Sequence, residues 1–125
     1  MLFRSPFHCP LMAPAADEMA VALAVIPLKI PLVPVLSNVN VMPTQNPDDI
    51  ARLLVEQVTG RVRWRESIDW FVAQGATHFV EVGVGSVLTG MSKRIAPNAT
   101  SIALSSRDDI RDFAVLLTQL DTAGS

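Results

Sequence analysis

At 125 residues, half of them hydrophobic, the chain is long enough for one domain with a buried core and is not a disordered tail. Ten basic against twelve acidic residues leave a formal charge of −2, too weak a field to gather nucleic acid or an anionic membrane surface. A single cysteine, Cys9, excludes an internal disulfide and suits a reducing compartment.

The N-terminal stretch does not read as a targeting or membrane segment. Asp17, Glu18 and four prolines before residue 28 interrupt it. Its longest charge-free apolar run, residues 19–28, is about half a bilayer span and contains Pro27. A cytoplasmic chain with no membrane and no nucleic acid among its partners is expected.

The first predicted element is a helix over residues 11–25, with Pro14 in its first turn, Asp17 and Glu18 toward the positive end of its dipole, and Pro27 and Pro31 beyond its end. "VPVLSNVNV", residues 33–41, has the β-branched character of a buried strand. Ser37 and Asn38 interrupt it: either they meet polar neighbours inside the protein or the strand ends there. "QNPDDIARLLVEQVTG" carries a full helix-start signature, with Asn46 as cap, Pro47 in the first position and Asp48 and Asp49 behind it. Ile50, Leu53, Leu54 and Val58 form its apolar stripe and Gly60 ends it, so Gln57 falls in the last turn, where carbonyls lack intrahelical donors.

A helix over residues 64–74 follows, with Trp64, Ile68, Phe71 and Val72 on one side and Gly75 at its end. "THFVEVGVGSVLTG" reads as strand, glycine turn and a helix over residues 86–95, and "SIAL", residues 101–104, as a short strand. The final helix starts at a reciprocal Ser106 and Asp109 cap. Strands alternating with helices predict an α/β fold with a mostly parallel sheet.

Gly83, Gly85 and Gly90 stand where a phosphate-binding turn stands, but the spacing is not G-x-G-x-x-G and no P-loop lysine follows. A tight turn packing helix on strand is the default. Cys9 beside His8 is a poor thiol–imidazole pair, because adjacent side chains diverge, and reads as a small core residue. His78, with only Glu81 nearby, reads as structural or solvent-facing. Arg61, Arg63 and Arg65 form a solvated basic edge, or a docking patch for an acidic partner.

His8 lies in "SPFHCPLM", followed by "PAAD", "PVLSNV" and "LLVEQVTGRVRWRESIDWFVAQGATHFVEVGVGSVLTGMSKRI". In this order and spacing the segments resemble the C-terminal portion of malonyl-CoA:acyl carrier protein transacylases. They are also similar to the acyltransferase domains of fatty acid and polyketide synthases. The resemblance runs over about residues 5–95, is poor over residues 1–4 and weakens over residues 96–125.

The resemblance implies part of an α/β-hydrolase-like acyltransferase core, with parallel strands and flanking helices and without the family's inserted ferredoxin-like subdomain. It implies transfer of malonyl from malonyl-CoA, through a serine ester, to the phosphopantetheine thiol of acyl carrier protein in fatty acid biosynthesis, with no cofactor and no metal. His8 matches the catalytic histidine, and Gln57 the residue whose backbone carbonyl accepts the histidine's ring N–H. Phe7 matches the position that often carries phenylalanine in malonyl-selective relatives and serine in methylmalonyl-selective ones.

The family's nucleophile elbow, G-H-S-x-G, has no counterpart: no G-x-S-x-G occurs in these residues. The arginine that pairs with the malonyl carboxylate and the glutamine of the oxyanion hole are also unmatched, and Ser5, Ser37, Ser86 and Ser105 stand outside the nucleophile motif. The expectation is a base-bearing portion, inactive alone, whose nucleophile belongs to a missing N-terminal segment. The alternatives are a non-catalytic module that binds acyl carrier protein and a truncated inactive product.

Overall fold

The computed structural model describes residues 8–123, with side chains through residue 119; Phe7 and Ser5 lie outside the described residues. The chain forms two compact units divided between Ser67 and Ile68.

In the first unit a short 3₁₀ turn, Pro10–Met12, leads into α1, Ala13–Ala24. The predicted helix therefore begins two residues later as an α-helix, because Pro10 and Pro14 each remove an amide and favour the tighter turn ahead of it. Pro14 does occupy the first turn, whereas Asp17 and Glu18 fall beyond it. Alanines and apolar residues surround α1; Ala16 is its buried residue and Met19, Val21, Val25 and Ile26 along and after it are exposed. It packs against α2, Pro47–Thr59, whose buried residue is Leu53.

The expected strand over residues 33–41 shortens to β1, Val35–Leu36, which pairs antiparallel with β2, Pro43–Thr44. Both readings of Ser37 and Asn38 hold together. The strand ends there, and each finds polar partners: Ser37 Oγ accepts from Val39 N at 3.2 Å, and Asn38 accepts from Arg63 N at 2.9 Å and from the Ser67 hydroxyl at 3.4 Å. The turn forces Val41 to φ 56, an unusual place for a β-branched residue.

The start of α2 matches its sequence signature. Asn46 accepts from Asp48 N at 2.9 Å, Pro47 occupies the first turn, and Arg52 bridges Asp49 and Glu56 along the outer face. Leu54 departs from the predicted apolar stripe, being 44% exposed.

α3, Trp64–Ala73, leads into the second unit, where Ile68 is 2% exposed and Phe71 meets Phe79 edge-on. Val72, predicted on the same side, is exposed. Gly75 at φ 89 closes the helix, and Ala76 N bonds back to Phe71 O at 3.0 Å. β3, His78–Val82, pairs in parallel with β4, Thr100–Leu104, through the crossover helix α4, Val87–Ile95. α5, Arg107–Ala123, starts at the expected reciprocal cap: Ser106 N donates to Asp109 at 2.8 Å and Asp109 N to the Ser106 hydroxyl at 3.1 Å.

The fold is α/β, but among the described residues the expected mostly parallel sheet becomes two two-stranded sheets, one antiparallel and one parallel. Ser37 and Asn38 are the local cause in the first unit, since they turn the chain back on itself before a longer strand can form.

The apolar core is thin. Among the described residues only Ala16, Leu53, Ile68, Ala96 and Leu104 are buried apolar positions, while Leu32, Val82, Val84 and Val87 stand among many exposed ones. Exposed apolar area of this kind drives association. The purified chain is therefore expected to self-associate and to bind hydrophobic dyes. Thermal unfolding followed by light scattering checks this; a monomeric, cooperative transition above about 50 °C would contradict it.

Candidate active site

The site is built on the C-terminal end of α2. Gly60 N closes the last helical bond on Glu56 O at 2.8 Å. The next two carbonyls, of Gln57 and Val58, point to residues that have already left the helix, so their acceptors need donors from elsewhere.

His8 supplies both. Its backbone N–H donates to Val58 O at 3.0 Å, and its ring Nδ1 lies 2.7 Å from Gln57 O. A carbonyl only accepts, so this short contact fixes the proton on Nδ1 and makes Nε2 the basic nitrogen. His8 as a whole residue is exposed.

The two bonds also account for a backbone outlier. His8 sits at φ 64, in the left-handed region, which costs an L-residue about 1–2 kcal/mol. Each hydrogen bond contributes about 0.5–1.5 kcal/mol net, so the pair is of the size needed to offset that cost. From there Cys9 turns extended, with φ −142, and Pro10 opens the 3₁₀ turn. Cys9 is half-buried rather than a core residue, because it lies in the extended link ahead of that turn.

The structure thus brings together His8 and the Gln57 carbonyl, the two residues that the sequence placed 49 positions apart. It adds the Val58 carbonyl, which sequence reasoning missed because a backbone acceptor leaves no mark in residue identity.

The glycine turn resolves as a helix anchor. Gly83 and Gly85 take φ 145 and 99, and Ser86 at the start of α4 makes no side-chain cap. Glu81 caps the helix instead, accepting from Leu88 N at 3.2 Å, Thr89 N at 2.7 Å and the Thr89 hydroxyl at 2.6 Å. His78 and Glu81, three apart on a strand, point to opposite faces, and the His78 ring meets the Thr77 hydroxyl at 2.9 Å. Arg63 of the alternating arginines pairs with Glu66, whereas Arg61 and Arg65 are exposed. Among the described residues no group of three or more His, Cys, Asp or Glu could hold a metal ion, and no helix is long and apolar enough to cross a membrane.

No protein-family model matches the chain. Solved structures do, and they define the class: the chain reproduces part of an acyltransferase fold. It superposes on the acyl-carrier-protein-S-malonyltransferase of Bartonella henselae with a TM-score of 0.85 and 42% identity, over 92% of this chain and 37% of that one. A malonyl-transacylase solved in complex with its type II PKS acyl-carrier protein matches at a TM-score of 0.78 and 38% identity, over 87% of this chain and 35% of that one. Among curated proteins, the malonyl CoA-acyl carrier protein transacylase of Escherichia coli K12 is 48% identical over 99 residues, 79% of this chain and 32% of that protein. The chain is a homologue of the malonyl-CoA:acyl carrier protein transacylases over a partial segment, spanning about a third of the length of the relatives it matches.

The Thr89 hydroxyl first, then the Thr89 and Leu88 amides, hold the Glu81 carboxyl below its ordinary pKa; the Ser105 amide and Ser106 do the same for Asp109. A depressed folded-state value means that this stabilisation is complete above the unfolded value of about 4 and is lost as pH falls through the folded one. Melts between neutral and acid pH should show the Tm gap between wild type and Glu81→Gln closing as the medium turns acid. A gap that stays constant would count against the cap.

Proposed function

We propose that this chain is the base-bearing, C-terminal portion of a malonyltransferase of fatty acid biosynthesis, with an α/β-hydrolase-like core completed by a segment that carries the serine nucleophile. The observation that carries this reading is the 2.7 Å approach of His8 Nδ1 to Gln57 O at a helix end, together with the homology to malonyl transacylases.

In this reading His8 is the general base and Gln57, through its carbonyl, the positioning residue. Nε2 takes the serine hydroxyl proton as Oγ attacks the thioester carbon of malonyl-CoA. The C–S bond then breaks, and the imidazolium returns the proton to the leaving coenzyme A thiolate. In the second half the phosphopantetheine thiol of acyl carrier protein gives its proton to Nε2 and attacks the ester. The ester C–O bond breaks, and the serine oxygen recovers the proton. A neutral carbonyl can orient the ring as a carboxylate does in other triads, since what it fixes is the tautomer. This chemistry belongs to the cytoplasm, where the single cysteine of the chain also fits.

A second reading rests on one observation, the lack of any G-x-S-x-G in these residues. It makes the chain a non-catalytic module that binds acyl carrier protein, or a truncated inactive product.

Mixing the chain with the remaining two-thirds of a homologous transacylase separates these readings. Malonyl transfer is expected, with His8→Ala lowering it by orders of magnitude and Gln57→Ala by far less, since the carbonyl survives. Gln57→Pro, which distorts the helix end, is expected to cost more. Activity that persists in His8→Ala, or failure of a stable mixed complex to transfer malonyl, would remove the base assignment.

Phe7 sets the acyl preference in this proposal. A ring beside the α-carbon disfavours an added methyl, and one methyl discriminates by about 1–3 kcal/mol. Phe7→Ser is expected to raise methylmalonyl relative to malonyl transfer in the same assembly. Equal use of both thioesters by the unaltered assembly would refute the assignment.

A further inference from the structure

Gly60 ends α2 with φ −82 and ψ 155, an extended conformation open to any residue, so a positive φ is not what calls for glycine here. Space is. A Cβ built on Gly60 falls 2.7 Å from the carbonyl oxygen of Glu56 and 3.6 Å from its carbonyl carbon, with Val39 Cγ1 at 3.7 Å. The nearest obstacle is backbone of the same helix and cannot rotate aside as a side chain can. A side chain at position 60 therefore requires a backbone shift, in the last turn of α2 or at position 60 itself. That turn contains Gln57 and Val58, whose carbonyls hold the ring and the backbone amide of His8.

We infer that Gly60 is a positioning residue for His8: its missing Cβ lets the last turn of α2 close on Glu56 and so aims two consecutive carbonyls at the histidine. The second of these, Val58 O, holds the main chain of His8 at φ 64 while the first holds the ring. The pair acts as one clamp, since moving the ring acceptor also moves the anchor of the backbone that carries the ring. A general base misplaced by about 1 Å loses on the order of a hundredfold in rate, so a rigid two-point clamp has a catalytic consequence. That consequence rests on the proposed role of His8; the geometry of the clamp does not. The two can fail separately, because malonyl transfer tests the role and the state of the imidazole ring tests the clamp.

The experiment uses the 125-residue chain with isotope-labelled histidine and reads the ring nitrogens of His8 and His78 by NMR. In the wild type, His8 is expected in the Nδ1–H form. In Gly60→Ala it should move toward a mixture of tautomers, with His78 unchanged as the internal control. Thr59→Ala, in the same turn but already bearing a Cβ, should leave His8 as it is. A folded Gly60→Ala chain whose His8 keeps the wild-type ring state overturns the inference. If Gly60→Ala does not fold, hydrogen exchange on the wild type decides. Matching protection of the His8 and Gly60 amides, as members of one unit that opens together, supports the clamp, and rapid exchange of the His8 amide alongside a protected Gly60 amide overturns it.

Discussion

Every α-helix ends in carbonyls that its own amides cannot reach, and in this chain two consecutive ones at the end of α2 are met by one residue from the N-terminal end of the described chain. The arrangement couples three levels of structure. The Asn46 cap and the Asp48–Asp49 pair define where α2 starts, and Gly60 defines where it stops. The stop decides which carbonyls are unclaimed. Those carbonyls bind His8 while its backbone takes a left-handed φ, and they set its proton on the nitrogen nearest the helix. A satisfied helix end and an oriented imidazole are here the same pair of hydrogen bonds.

Much of this was legible in residue identity wherever a local rule has a local signature. The Asn46-Pro47-Asp48-Asp49 start, the Gly75 stop and the reciprocal Ser106–Asp109 cap each involve groups within a few positions, and each appears as read. The contact between His8 and the Gln57 carbonyl was expected through resemblance to a family, with the helix-end position of Gln57 as its physical support. Elsewhere the sequence misled. Residues 33–41 have the composition of a buried strand, yet only Val35 and Leu36 form one, because the polar Ser37 and Asn38 find better partners in a turn. β-propensity reports how well a side chain suits a half-buried pleated surface; it does not report whether a neighbouring strand exists to supply that surface. Val41 at φ 56 shows the same limit, since no residue preference forecasts a β-branched side chain in the left-handed region. The Glu81 cap escaped notice for another reason: the acid precedes the turn, on the strand, whereas the familiar capping residues sit at the helix start itself.

The distribution of apolar residues fits a segment that spans about a third of its relatives. Parallel strands ordinarily occur in sheets covered on both faces by helices. Among the described residues one parallel pair is present, and Val82 at its C-terminal end is 76% exposed, with Val84 and Val87 open beyond it. Composition alone could not reveal this, because it counts apolar residues without saying which of them have something to pack against.

The cap by Glu81 bears on what the glycine turn can recognise. Two of the amides that a bound phosphate would use at the start of α4, those of Leu88 and Thr89, already donate to the carboxylate of Glu81, seven and eight residues back along the chain. A tethered group competes at an effective concentration of roughly millimolar or above, and its negative charge repels any newcomer of the same sign. The turn is therefore an anion receptor whose tenant is part of the chain, and its resemblance to a nucleotide cradle is the resemblance of a lock to one that already holds its key.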